Sequence, residues 1–556
     1  MERLSYSIPD EQHDVVYVEA KSPAEPPLDH QTPSNGALRP GPPPRYTSPE
    51  VIGLLGQYVA VGLCYGALPS LMYPLFASYF HMTGNQYNSA KTLLGIGWSI
   101  KSVFGILSDC VPILGYRRKS WMLFGWLLCA FFMTLLAIKS FGRPYYTDHT
   151  LAGIPRANLT EDEKETLTLE APTRGGAVAI LCGLATISYI MAGVPADALI
   201  VEVAQREPEA IRGRLQSLAY MTRTLSSMVA SALIGLGLNS KDFSGSFTWN
   251  MGIHTIFILL AAVSTTMVLL TAWCIHDERH PTILPFPTYI HQFWRLIQKR
   301  ATWQIMLFTF LFNLLNSGVT STAAPYVMLH WAKVENLNSQ LMTIAGNFVF
   351  ASALGVMAGW GTMWNWQFVV VVTTLAANTI DALVQFFTIY DVVRNQWWYI
   401  GVPLAENLPY AMQFIVTAFV IVEIAEAGNE GVTYGLFTTV TNLPIAVGPV
   451  LSDAIFASFD VSEDAIVADT PATRDQVANT YVIYYMTTLA ACATVFLLPS
   501  QKKALHRLQA SGGNCPIIGG AVLTLCLCVL VYSIVASMLS MFESTSCYVI
   551  AGGKGC

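Results

Sequence analysis

Gly105-Ile-Leu-Ser-Asp109-Cys-Val-Pro112-Ile-Leu-Gly115-Tyr-Arg117-Arg118-Lys119 is the stretch that decides the fold. It lies between two apolar runs, residues 90–108 and 121–141, each close to the roughly 20 residues a helix needs to cross a bilayer. Gly105 lets two helices approach, and Asp109 sets a carboxylate at the end of the first run. Pro112 and Gly115 suit a turn, after which Arg117, Arg118 and Lys119 place cations before the second run, the mark of a cytoplasmic loop. Two readings are open. The carboxylate serves a charged gate that breaks when helices move, or the stretch is a turn with basic anchors.

The same alternation continues in both directions. Apolar runs fall at 54–80, 90–108, 121–141, 176–200, 215–238, 251–274, 303–326, 340–362, 366–389, 397–425, 433–458 and 478–498, with a further one at 516–542. Of the 556 residues 53% are hydrophobic and only 12% charged, and the mean hydropathy is +0.46. A soluble chain carries about twice that charge, so a soluble enzyme is excluded. The net charge of −6 offers nothing to a nucleic-acid backbone. Residues 1–50 are polar and hold ten prolines; they are expected to form a disordered cytoplasmic tail, with no signal peptide.

Basic residues set the orientation. Arg117 to Lys119, Arg206, Arg212 and Arg214 fall in loops of one side. Arg279, Arg295, Lys299 and Arg300 of the central loop and Lys502, Lys503 and Arg507 after the twelfth run fall on the same side, which predicts a cytoplasmic N-terminus. Asn158-Leu-Thr160, a glycosylation acceptor, falls in the long opposite loop. The polar loop 275–302 divides the runs into an N-terminal six-helix bundle (51–274) and a C-terminal one (303–498). Residues 499–556 add a basic linker, the helix expected at 516–542 and a short tail whose Cys547 and Cys556 could pair.

The quoted stretch resembles the Gly-x-x-x-Asp … Gly-x-Arg-Arg/Lys loop of the major facilitator superfamily. The longer string from Lys101-Ser102-x-Phe104 through Lys119 looks like the folate-biopterin transporter family, a branch of that superfamily. Asp197-Ala-Leu-Ile-Val-Glu202 with Leu215-Gln-Ser217, and Gly431-Val-Thr-Tyr434-Gly-Leu-Phe437 with Asn442-Leu443, fit the same family. The resemblance covers about residues 50–500. It implies an all-α, six-plus-six helix bundle that moves a folate, biopterin or related pterin-like solute by alternating access, and a place in the plasma membrane. It covers neither the Pro-rich tail nor the helix at 516–542. The alternatives are transport of another small organic solute, or a non-transporting receptor or scaffold of the same fold.

Ionisable residues inside a membrane are costly and usually face a cavity or a partner. Lys101, Asp197 and Arg223 fall at similar depth in spans two, four and five, about 8–12 Å from the cytoplasmic edge at 1.5 Å per residue. They are candidates for substrate binding, or form an ion cluster locking three helices. Asp109, Arg117, Arg118 and Lys119 are the gating candidates. Asp381 and Glu406, in spans nine and ten, have no cation at their depth; they suit proton coupling, or line a wet vestibule. Tyr65, Trp98 and Tyr220 could stack an aromatic ring. No Walker loop, His-Glu-x-x-His or Gly-x-Ser-x-Gly occurs, and no histidines share metal-ligand spacing. Neither an enzyme, an ATP-driven pump, a cofactor nor a metal is therefore expected. The partners are a small solute and the bilayer; no oligomeric state is indicated.

Overall fold

A computed structural model describes residues 36–82, 90–148, 160–277 and 286–540, apart from positions 92, 96, 99, 244, 246, 335, 427, 428, 457 and 462, together with residue 548. Helices make up the whole architecture, and no strand occurs among the described residues. The N-terminal half contains α1 (Pro49–Ser70), α2 (Lys101–Cys110), α3 (Lys119–Ile138), α4 (Ala171–Ala204), α5 (Arg214–Gly237) and α6 (Ile253–Cys274). A connecting helix α7 (Phe286–Gln298) follows. The C-terminal half contains α8 (Arg300–Asn313), α9 (Asn336–Gly359), α10 (Trp366–Ile389), α11 (Asn407–Ile424), α12 (Glu430–Phe456) and α13 (Pro471–Ala493). Beyond it lie α14 (Lys502–Ser511) and α15 (Pro516–Ser540), the latter at the position expected for the extra helix and packed against α7 and α12.

Eight of these segments are long and apolar enough to cross a membrane. The spans that fall short have visible reasons. Helix α5 carries Arg223 and many Ser and Thr side chains, α12 is rich in Gly and Thr, and the seventh span is interrupted after Gly318. Large apolar side chains stand on the outside, with Phe368 67% and Phe496 76% exposed. Such faces match lipid rather than water.

The two halves meet most closely where α2 packs on α12 and α5 packs on α9. Counting spans, these are the second with the eleventh and the fifth with the eighth. A twofold exchange of halves converts one pair into the other, as a duplicated bundle requires. A second correspondence supports it: the first span of each half runs into a π-helical segment, Met72–Tyr79 and Leu314–Gly318.

Close packing uses small residues, as in other membrane bundles. Helices α1 and α5 cross at Gly62 and Gly66. A Cβ at Gly62 would lie 2.3 Å from the Arg223 carbonyl oxygen, and one at Gly66 would lie 2.2 Å from that of Ser227.

Disorder was expected over residues 1–50; residues 1–35 lie outside the described residues, and the described part of the tail differs. Residues 36–48 are not free chain but lie against the bundle, with Ala37 buried and Ser48 capping α1 through its side-chain oxygen. Polar composition argued for disorder because this segment has little apolar surface to bury; Ala37 and Tyr46 supply that little, and most of its contacts are charged and hydrogen-bonded. Asn158, Arg279, Cys547 and Cys556 lie outside the described residues.

Candidate functional site

Four helices of the N-terminal half, α1, α2, α4 and α5, build a pocket. Its wall includes Gln57, Tyr58, Trp98, Lys101, Asp197 and Arg223. The 34-residue α4 delivers Asp197 two positions after Pro195, where it meets the start of α2. There the Lys101 ammonium donates to Asp197 Oδ2 at 2.6 Å, and the Tyr58 hydroxyl donates to Oδ1 at 2.6 Å. The carboxylate is thus held from both sides, and Lys101 also lies 4.7 Å from the centre of the Tyr434 ring and 5.3 Å from that of Trp98.

Arg223 is placed differently. Its guanidinium sits 4.6 Å from the Tyr220 ring centre, 5.5 Å from Tyr65 and 5.9 Å from Phe414. No carboxylate forms an ion pair with it among the described residues. Lys101, Asp197 and Arg223 therefore share one pocket, as their depth suggested, but only the first two pair. Tyr65, Trp98 and Tyr220 stand beside them, Tyr65 packing edge-on to Trp98 at 5.4 Å. Phe414 and Tyr434, from the other half, complete the aromatic surround. Sequence alone offered no means of selecting these two.

In the C-terminal half, Asp381 accepts from Tyr485 at 2.9 Å and from Gln385 at 3.0 Å. Glu406 accepts from Tyr410 at 3.1 Å, while its other oxygen is buried without a partner. No cation pairs with either among the described residues.

The quoted motif forms a second site, between the halves. Asp109 pairs with Arg118, and Arg117 lies 3.5 Å away. Its other oxygen accepts the Val432 amide at 2.7 Å, across the boundary between halves. Arg118 also reaches Glu202 at 3.1 Å and Glu430 at 3.0 Å. Backbones approach because both sides carry glycine: a Cβ on Gly105 would lie 2.4 Å from the Gly431 carbonyl oxygen. Lys119 stands apart from this network, donating to the Ala272 carbonyl at 2.7 Å, although its amide and that of Arg118 both bond Asp277.

A second crossing flanks the first. Arg212 grips Glu423 of the other half through two bonds of 2.5 and 2.8 Å, and His506 of α14 bonds the same carboxylate at 2.8 Å. Lys502 of α14 donates to the carbonyls of Glu209 and Arg212 at 2.8 and 2.7 Å. Burial pushes its ammonium down to about 8. Glu207 caps the start of α5 by accepting the Gly213 and Leu215 amides. Glu202 and Glu430 belong to the charge network around Arg118, and sequence reasoning missed them. Both stood in or next to the family-like strings, Glu202 at the end of one and Glu430 just before another, and for Glu430 its place beside Gly431 was the available signal.

Taken whole, the motif end of the bundle is closed by charge and the pocket lies beyond it. Among solved structures, the proton:xylose symporter XylE superposes with a TM-score of 0.54 at 13% identity, covering 83% of this chain and 98% of the symporter. The fold is that of the major facilitator superfamily. Residues 61–146, which contain the motif, match the model of the BT1 family. The folate-biopterin transporter of Synechocystis is 22% identical over 372 residues, 63% of this chain and 64% of the relative. The probable folate-biopterin transporter 4 of Arabidopsis thaliana is 25% identical over 174 residues, 31% of this chain. The matched stretches thus span 64% and 27% of these relatives' own lengths. The chain is a multi-pass membrane protein similar to folate-biopterin transporters. It gathers no cluster of metal-ligating side chains among the described residues.

Proposed function

We propose that this chain is a secondary transporter of folate, biopterin or a related pterin-like solute, working by alternating access around the pocket. The observation that carries this is Arg223: a guanidinium on the pocket wall framed by three aromatic rings, one of them Phe414 of the other half, with no carboxylate paired to it among the described residues. Aromatic faces suit a pteridine ring, and the fixed cation suits the carboxylates of a glutamyl tail. Lys101 is positioned by Asp197 and Tyr58 and presents its remaining protons to the same space. With the N-terminus cytoplasmic and the chain in the plasma membrane, the closed motif end is the inner gate, worked by Asp109, Arg117 and Arg118. Lys119 anchors the neighbouring helix end. Asp381 and Glu406, uncompensated by a cation, carry the coupling proton.

The test compares folate with uncharged biopterin. Arg223→Ala should weaken folate binding by ten- to a hundred-fold, the loss of one charge-assisted contact of about 1.5–3 kcal/mol, and biopterin binding far less. Lys101→Ala leaves Asp197 buried and unpaired, so it is measured with Lys101→Ala/Asp197→Asn and a thermal melt of each. Equal loss for both ligands, with stability restored in the double variant and binding unaffected by Arg223→Ala, would make the layer a structural ion cluster.

A further inference from the structure

The gate contains a member from outside both six-helix halves. Arg39, in the polar tail, pairs with Glu430 of the C-terminal half and lies 3.7 Å from Glu202 of the N-terminal half. The tail holds it in place with a series of contacts to the N-terminal half. The Leu38 and Arg39 amides donate to the Gln205 carbonyl at 2.9 and 3.2 Å, and Arg39 Nε donates to the Gln205 side chain at 2.8 Å. The Gly36 carbonyl accepts from Arg212 at 2.6 Å, and the Tyr46 hydroxyl donates to Glu207 at 2.8 Å. At the end of the strap, Arg206 pairs with Glu50 at 2.5 Å. Gln205 itself reaches across, donating to the Val422 and Ala425 carbonyls of the C-terminal half.

Charge explains why the tail is needed. The ion-pair network joins the carboxylates of Asp109, Glu202 and Glu430 with the guanidiniums of Arg117, Arg118 and Arg39. Glu430 is 1% exposed and Arg118 is 2% exposed. A carboxylate as buried as Glu430 is costly without cationic partners, and Arg118 and Arg39 both reach it. Among the described residues the motif sets two arginines against these three carboxylates, and the tail sets a third beside them.

We infer that Arg39 is a gating residue: the tail segment 36–48 rides on the N-terminal half and bolts it to Glu430, so the motif end opens only when the Arg39–Glu430 pair breaks. This deepens the transport reading above and rests on it for its consequence, but its test needs no substrate. Cys110 provides the reporter. It is 5% exposed and packs against Val432 of the other half, so a thiol reagent reaches it only when the halves separate there. The full-length protein in membranes is treated with N-ethylmaleimide, and alkylation at Cys110 is read by peptide mass. Arg39→Ala should raise its rate roughly tenfold, a moderate figure because the Arg39 side chain is 24% exposed and partly screened. Arg39→Lys should restore most of the protection, and Arg39→Gln should not. A wild-type alkylation rate in Arg39→Ala, in protein with an unchanged melting temperature, overturns the inference. If that variant fails to fold, the Lys and Gln variants decide: faster labelling in Gln than in Lys supports the bolt, and equal rates overturn it. Failure of the wild-type chain to transport any pterin would sink the function proposed above and leave this result standing.

Discussion

Adding one methyl group at Gly105 should open the gate. A Cβ there would lie 2.4 Å from the Gly431 carbonyl oxygen, 2.9 Å from its carbon and 3.2 Å from the Val432 Cα. All three are backbone atoms that cannot rotate away. Since ordinary contact begins at 3.4 Å, the backbones of α2 and α12 must part by about 1 Å. The Arg118–Glu430 contact of 3.0 Å and the Val432–Asp109 hydrogen bond of 2.7 Å would then be stretched to about 4 and 3.7 Å, beyond useful hydrogen-bond length. Overpacking of this kind costs about 1–3 kcal/mol, and a bias of that size shifts a two-state equilibrium about 5- to 150-fold. Helix propensity acts the other way by up to about 1 kcal/mol, which places the expectation in the lower part of the range. The assay is hydrogen–deuterium exchange of the peptide covering 430–437, whose protection reports opening at this crossing. Gly105→Ala should exchange about 5- to 30-fold faster, whereas Gly235→Ala, with nothing within 4 Å of its new Cβ, should not. Wild-type exchange in a folded Gly105→Ala protein would refute the argument, because the halves could not then be meeting backbone to backbone at the motif.

Asp109→Asn should slow uptake severely while equilibrium ligand binding stays within a few-fold of wild type, since the charge serves the gate and not the pocket; binding lost in step with turnover would show otherwise. Asn158→Gln should abolish a mobility shift on glycan removal, and a protease-accessible 275–302 loop in intact cells would reverse the proposed topology. Lys502, pushed down to about 8 by burial, adds a pH dependence. Its folded value lies below its unfolded one, so its contribution to stability is complete above the unfolded pKa of roughly 10.4 and falls away as pH drops through about 8. The wild-type melting temperature should therefore rise relative to Lys502→Met between those pH values, and a constant difference would mean that the ammonium is not penalised.

Much of this architecture was legible because bilayers impose a length and a composition on each span. The runs at 121–141, 251–274 and 366–389 correspond to α3, α6 and α10 within a few residues. Helical rise alone set Lys101, Asp197 and Arg223 in one layer, and all three line one pocket. What was hidden is contact across distance in sequence. Nothing near Arg118 announces Glu430, 312 positions away, and nothing in a Pro-rich tail announces that Arg39 will complete a buried charge set. Disorder was the expectation there because hydrophobic burial is the usual reason for order, and residues 36–48 are held mainly by hydrogen bonds and by the ion pairs of Arg39. The same blindness applies to Phe414 and Tyr434, which reach the pocket from the opposite half.

Arg223 has a second attachment whose meaning is mechanical. Its side chain lines the pocket, yet its carbonyl oxygen lies 2.3 Å from where a Cβ on Gly62 would be, so that α1 and α5 touch main chain to main chain at this residue. Side-chain interfaces have play: rotamers relax, and a pull at one end is partly absorbed before it arrives at the other. Two backbones in direct contact have almost none. A displacement of the α5 main chain at Arg223 is handed directly to α1, so the wall of the pocket that carries Arg223 moves with its half of the bundle.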